Sequence, residues 1–143
     1  MPNKQYINTP SISLTLDSVK YKKIENKRQK KPISVKPVVQ DFYKLIEIGE
    51  REIEIQFTRS VVFQPKAIMS ADLVLSIVFG LDRDSREEVN DESILEEVKE
   101  RAEELLVAAA SNASSVISSL TNVSFIYPLV TPPFYTKDND QIS

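Results

Sequence analysis

Absences define the chemistry open to this chain. It contains neither cysteine nor histidine. That removes thiol nucleophiles, thiolate and imidazole metal ligands, disulfides and the commonest general base. Its only glycines are Gly49 and Gly80, which cannot build a phosphate-cradling loop. Carboxylates remain, and Asp82, Asp84, Glu87, Glu88, Asp91 and Glu92 cluster after Gly80. The cluster invites comparison with a calcium loop, but Arg86 and Glu87 stand where a ligand and a turn glycine are needed. It reads as a solvated acidic connector. Acid–base catalysis would rest on carboxylates alone, so no enzymatic activity, cofactor or metal is expected.

Positive charge gathers between Lys20 and Lys36, where Lys20, Lys22, Lys23, Lys27, Arg28, Lys30, Lys31 and Lys36 face the single acid Glu25. A single-strand nucleic-acid groove interleaves such charges with aromatic side chains for base stacking, and only Tyr21 is near. With a net charge of -3 for the whole chain, the stretch reads as a solvated loop. RNA binding is the weakest functional expectation.

The elements that must position any site are clearer. From Glu52 to Phe79 the chain alternates. Ile53, Ile55, Phe57, Val61 and Phe63 share one parity, with Glu52, Glu54, Gln56 and Thr58 between them. After Gln64-Pro65-Lys66, Ala67, Met69, Ala71, Leu73, Leu75, Ile77 and Phe79 again share one parity. Successive strand side chains point to opposite faces, so this predicts a long antiparallel hairpin with one apolar face. The second strand's other parity holds Ile68, Val74 and Val78 among Ser70, Asp72 and Ser76. That half-apolar face is expected to meet a partner, a client or the chain's own tail.

Two further strands precede the hairpin. Ser11 to Ile24 carries Ile12, Leu14 and Leu16 on one parity, then Val19 and Tyr21 on the other. A bulge near Asp17-Ser18 explains the switch, since one extra residue flips the faces. Val38 to Ile48 is β-branched and aromatic, which favours a strand, and Gly49-Glu50 turns it into the hairpin. Residues 91 to 121 then follow helical spacing through Ile94, Val98, Ala102, Leu105, Ala109, Val116 and Leu120. Ser93 with Glu96 forms a capping box, Asp91 offers an alternative cap, and Asn122 offers a stop. The outward face of this helix changes midway from Glu and Lys to Ser and Asn. Beyond it, Phe125 to Tyr135 is aromatic and proline-rich and is expected to lie extended over the sheet or the helix.

Together these predict an α+β domain, a four-stranded antiparallel sheet covered by one long C-terminal helix. A length of 143 residues with 41% apolar content suits one domain. The expected division is a flexible arm over residues 1–10, the domain over 11–136 and a disordered tail over 137–143. Neither a signal peptide nor a membrane-spanning run is evident, so a cytoplasmic protein is expected.

The stretch Ala110 to Thr121 (Ala-Ser-Asn-Ala-Ser-Ser-Val-Ile-Ser-Ser-Leu-Thr), then Phe125 and Pro128 to Phe134, resembles the SecB export-chaperone family. Members carry a helix ending in a similar Ile-Ser-Ser-Leu-Thr stretch, a phenylalanine, and a short Pro-Pro run closed by phenylalanine. The Leu16 to Tyr21 stretch is loosely similar to that family's first strand. Where the family usually has glycine after the helix, this chain has Asn122-Val123. No pattern for the family's second helix follows Tyr135, so the chain is similar to a divergent or minimal member. The resemblance implies a sheet-plus-helix fold, strand-mediated dimers that pair into tetramers, and binding of unfolded chains in apolar grooves without ATP. SecB-like proteins also accompany toxin–antitoxin modules and occur in phages, so the alternative expectation is an adaptor dedicated to one protein partner. The candidate client- or partner-binding residues are Ile68, Val74, Val78, Phe125, Tyr127, Leu129 and Phe134, with Pro132 and Pro133 as packing residues of the motif.

Overall fold

The computed structural model describes residues 6–24, 36–64, 68–82, 91–124 and 129–136. Strict alternation does its work in β3 (Glu52–Gln64) and β4 (Ile68–Leu81). They pair antiparallel with Ile53 opposite Phe79, Ile55 opposite Ile77, Phe57 opposite Leu75 and Val61 opposite Ala71. All eight side chains are buried, and with Met69 and Leu73 they form the floor of the core. β2 (Lys36–Ile48) pairs with β3, and β1 (Ile7–Ile24) with β4. The sheet is fully antiparallel in the order β1-β4-β3-β2, so the first two strands occupy opposite edges. The predicted fold class is the observed one.

β1 begins at Ile7, inside the stretch read as an arm, and Ile7 is buried. The expected phase switch is present: Leu16 faces Leu75 and Ser18 faces Val74, leaving Asp17 as the extra residue. A second irregularity lies between Asn8 and Ile12, which face the adjacent residues Gly80 and Phe79. Pro10 sits in it, as an edge strand permits. Gly80 makes room here, since a Cβ on it would stand 2.8 Å from Ser11 Oγ and 3.0 Å from Ser11 Cβ.

The helical stretch is divided at Arg101 into α1 (Asp91–Glu100) and α2 (Ala102–Ser124). Backbone bonds from Arg101 N to Glu97 O and from Leu105 N to Arg101 O continue the helical ladder across the divide. Ile94, Val98, Ala102, Leu105, Leu106, Ala109, Ala110, Ala113 and Ile117 are buried and cover the sheet. α1 starts at Asp91, the first residue of the expected helical stretch, which places Ser93 inside the first turn; Asp91 and Glu92 there complement the helix dipole. The other end differs from expectation. α2 runs past Asn122 to Ser124, because neither glycine nor proline interrupts the chain before Pro128. No helix among the described residues is long and apolar enough to cross a membrane. The lysine-rich stretch over 25–35 and the acidic connector over 83–90 lie outside the described residues.

Adjacent positions on β4 test this two-faced sheet, since Leu75 is fully buried against the helices while Val74 is half-buried on the opposite face. Leu75→Ala should cost about 2–5 kcal/mol in urea denaturation. Leu75→Asp should abolish the folded circular dichroism spectrum, because it buries an unpaired carboxylate. Val74→Asp should leave that spectrum near native. If Val74→Asp unfolds the chain as well, both faces are internal core.

Candidate functional site

One core-facing position of β3 is not apolar. Arg59 stands between Phe57 and Val61 with 0% of its surface exposed. Directly opposite on β2 is Asp41, also buried. The pair is bidentate: Arg59 Nε donates to Asp41 Oδ1 at 2.7 Å and Nη2 to Oδ2 at 2.8 Å. A guanidinium has five N–H groups, and the remaining ones leave the sheet. Nη1 donates to Pro132 O at 2.6 Å and Thr131 Oγ1 at 3.1 Å, with a longer contact of 3.5 Å to Ala110 O. Nη2 also donates to Phe134 O at 2.9 Å. The Phe57 ring lies 5.8 Å from the guanidinium carbon, a cation–π distance.

These bonds hold residues 129–136 as a strap across the helix side of the sheet. Asp41 Oδ2 accepts from both Thr136 N and Thr136 Oγ1 at 2.8 Å. From α2, Thr121 Oγ1 accepts from Leu129 N at 2.6 Å, and Ser114 Oγ donates to Thr131 O at 2.7 Å. The strap therefore runs antiparallel to α2. Tyr135 meets Tyr43 of β2 edge-to-face at 5.6 Å between ring centres. Burial first, then the neighbouring Tyr43 and Asp41, raises the Tyr135 phenol above its ordinary value.

A second latch closes the opposite corner. Glu97 of α1 is buried, and its carboxylate accepts from the backbone N–H groups of Tyr6 at 2.6 Å and Ile7 at 2.9 Å. Arg101 Nη1 donates both to Glu97 Oε2 at 2.6 Å and to Ile7 O at 3.0 Å. Tyr6 O in turn accepts from Asp82 N at 2.7 Å. The start of edge strand β1 is thus fastened to helix and sheet alike.

Apolar surface remains open in several places among the described residues, including Ile46 of β2 and Leu95 of α1. Ile12, Leu16 and Val19 of β1 pair with Phe79, Leu75 and Leu73 and so face the helix side, yet they are 37–41% exposed. The helices cover the middle strands and leave this edge bare. On the opposite face, Phe42 and Val62 are exposed and Val74 and Val78 half-buried. They sit among polar contacts, including Ser60 Oγ to Asp72 Oδ1 at 2.6 Å and a short bond from Ser76 Oγ to Asp17. Along α2 and the strap, Val107, Val130 and Phe134 are exposed.

The residues singled out from the sequence do not form one surface. Val74 and Val78 lie on the face away from the helices, with Ile68 in the same strand and its side chain outside the described residues. Leu129 and Phe134 lie on the helix side, Leu129 packed against the core and Phe134 exposed. Pro132 presents its carbonyl to Arg59, and Pro133 is exposed. Phe125 and Tyr127 lie outside the described residues. Sequence reasoning missed Arg59 and Asp41. The signal was present, since Arg59 occupies an inward parity in the most regular strand of the chain.

No protein-family model matches the chain, and no curated protein matches it in sequence. Among solved structures it is similar to a SecB-like chaperone of Mycobacterium tuberculosis, in complex with a ChAD peptide from the HigA1 antitoxin. The TM-score is 0.65 over 88% of this chain and 86% of that one, with 10% sequence identity. The fold is SecB-like. In this SecB-like sheet the described chemistry is that of anchoring and of apolar surface.

Two outcomes check the strap clamp. Arg59→Met should cost about 3–5 kcal/mol in chemical denaturation, because it strands the Asp41 carboxylate in the interior. Adding Asp41→Leu should recover part of that loss by removing both charges together; equal instability of the single and double variants would refute the pairing as the cause. The raised Tyr135 phenol sets a pH dependence. Its contribution is complete below the unfolded tyrosine value of about 10 and is lost as pH rises through the higher folded value. Denaturant midpoints followed upward from about pH 9, a unit below that value, should fall less in Tyr135→Phe than in the parent.

Proposed function

We propose that the protein binds other polypeptides through apolar surface, as an ATP-independent chaperone of SecB type. The observation that carries this reading is the row Ile12, Leu16 and Val19, apolar side chains that share the core face of the sheet and remain uncovered at its edge. Contiguous exposed apolar surface on a soluble chain marks interaction sites. The edge strand beside it offers unpaired backbone groups to an extended segment. The SecB-like fold supports a protein-binding, non-enzymatic role. We include Val74, Val78, Leu129 and Phe134 in the proposal as secondary client contacts, and Ile68, Phe125 and Tyr127 from the sequence pattern. Self-association as a dimer or tetramer and a cytoplasmic location belong to the same proposal.

The alternative reading is an adaptor that holds one dedicated partner. It is favoured by the similar Mycobacterium tuberculosis chaperone, whose complex contains an antitoxin peptide. Promiscuity separates the two: a general chaperone suppresses aggregation of unrelated clients, and a dedicated adaptor does not.

The test is light scattering during dilution of chemically unfolded clients. The parent chain should suppress aggregation at near-stoichiometric ratios without nucleotide. Ile12→Asp combined with Leu16→Asp should keep the circular dichroism spectrum, because both positions are exposed, and should lose most of the suppression. Full suppression by that variant would show that the β1 edge is not the binding surface.

A further inference from the structure

The strap is held chiefly by its main chain. Leu129 N donates to Thr121 Oγ1, and Ser114 Oγ donates to Thr131 O. Arg59 donates to Pro132 O and Phe134 O, and Thr136 N donates to Asp41 Oδ2. Side-chain bonds come from the hydroxyls of Thr131 and Thr136. Leu129 packs against the core and Tyr135 against Tyr43, but Val130 is 77% exposed and Phe134 57%. Main-chain groups are common to every polypeptide. Thr121, Ser114, Arg59 and Asp41 therefore form a track that reads an extended chain while leaving most of its side chains unread.

The track is set by contacts that do not involve the strap. Asp41 fixes the guanidinium of Arg59 through a bidentate pair between β2 and β3. Thr121 Oγ1 donates to Ile117 O of its own helix at 2.9 Å, which commits its proton and leaves the oxygen to accept an N–H. An extended chain entering from outside meets the same donors and acceptors, and it replaces each bond the strap gives up. The buried pair needs a main chain at this place, and its bonds to carbonyls do not specify whose.

The strap also shows what the track accepts. The bonds call for an N–H at the Leu129 and Thr136 positions and for carbonyls between them, so proline fits in the middle, where Pro132 and Pro133 stand. Thr131 is 2% exposed, which disfavours a charged side chain at that position. An apolar side chain suits the Leu129 position and an aromatic one the Tyr135 position.

We propose that this track is a binding site for an extended, uncharged segment of another polypeptide. The strap is its internal substitute and is released when such a segment enters. This rests on the protein-binding reading above and adds to it a second, gated surface. Residues 125–128 alone separate the strap from the end of α2, and so short a tether keeps it at an effective concentration on the order of millimolar. A free peptide competes poorly with that. A client already held at the β1 edge competes on closer terms, because its next segment is tethered too.

The test uses the full chain and a fluorescent peptide of the strap sequence, Leu-Val-Thr-Pro-Pro-Phe-Tyr-Thr. Thr131→Ala with Thr136→Ala weakens the strap and leaves the track intact. The peptide should bind this variant roughly tenfold tighter than the parent, because the tethered competitor has lost two hydroxyl bonds. A peptide with aspartate at its third position should bind the variant roughly tenfold more weakly, because the charge is buried. Tyr43→Cys with Tyr135→Cys, bridged by a short cleavable bis-thiol cross-linker, ties the strap to β2 in a chain that has no other thiol. Peptide binding should be lost in the bridged chain and return on cleavage. Equal binding to bridged and cleaved chains would overturn the proposal, as would no binding to the double-alanine variant. Unfolded clients separate this proposal from the chaperone reading. If the bridged chain suppresses aggregation as well as the cleaved one, the β1 edge stands and the gated track is overturned. If the parent suppresses nothing, the chaperone reading fails, and the peptide measurements still decide the track.

Discussion

Arg59 and Asp41 face each other in the interior, and the cost of taking two charges from water dictates much of what surrounds them. That cost is several kcal/mol per ion, and it is offset only when every polar atom of the pair finds a partner. The sheet supplies one bidentate contact and no more. The remaining guanidinium N–H groups need carbonyl and hydroxyl acceptors, and the carboxylate accepts again from Thr136. The extended segment after α2 supplies most of these, with Ala110 O of α2 as a longer contact, so the strap is as much a part of the core as the sheet. The same economy governs Glu97, whose carboxylate is satisfied by two backbone N–H groups and Arg101.

Much of this architecture is legible in the residues. Period-two alternation in β3 and β4 specified both strands and the face that meets the helices, because burial punishes any one-residue slip. The phase change at Asp17 was readable for the same reason. Strand order was not, since hairpin logic links neighbours in sequence and nothing local tells β1 to pair with β4. The starting point of β1 was hidden because Ile7 is held by Glu97, a partner far along the chain. The end of the helix drifted from the Asn122 stop to Ser124, where capping preferences compete with weak alternatives of similar energy.

The site divides in the same way. Apolar positions on a strand announce their face by parity, so Val74 and Val78 could be assigned to the side away from the helices. Whether such a face is covered depends on the lateral reach of the helices, which no local pattern records. The edge row Ile12, Leu16 and Val19 follows the core parity and was indistinguishable in sequence from core. Arg59 was passed over because its neighbours Phe57 and Val61 carried the pattern without it. A charged residue at an inward parity is itself evidence of a buried partner.

Both latches join parts of the chain made at very different times. Tyr6 and Glu97 are 91 positions apart, and Asp41 and Thr136 are 95 apart. A protein synthesised from its N-terminus has all four strands before α1 exists. During that interval Arg59 has no acceptors beyond Asp41, and the apolar floor of the sheet has no cover. Closures over such long separations also slow folding, because the loop entropy is lost before the contacts form. The apolar residues of the four strands therefore wait for their cover, and the clamp closes only when Thr136 reaches Asp41.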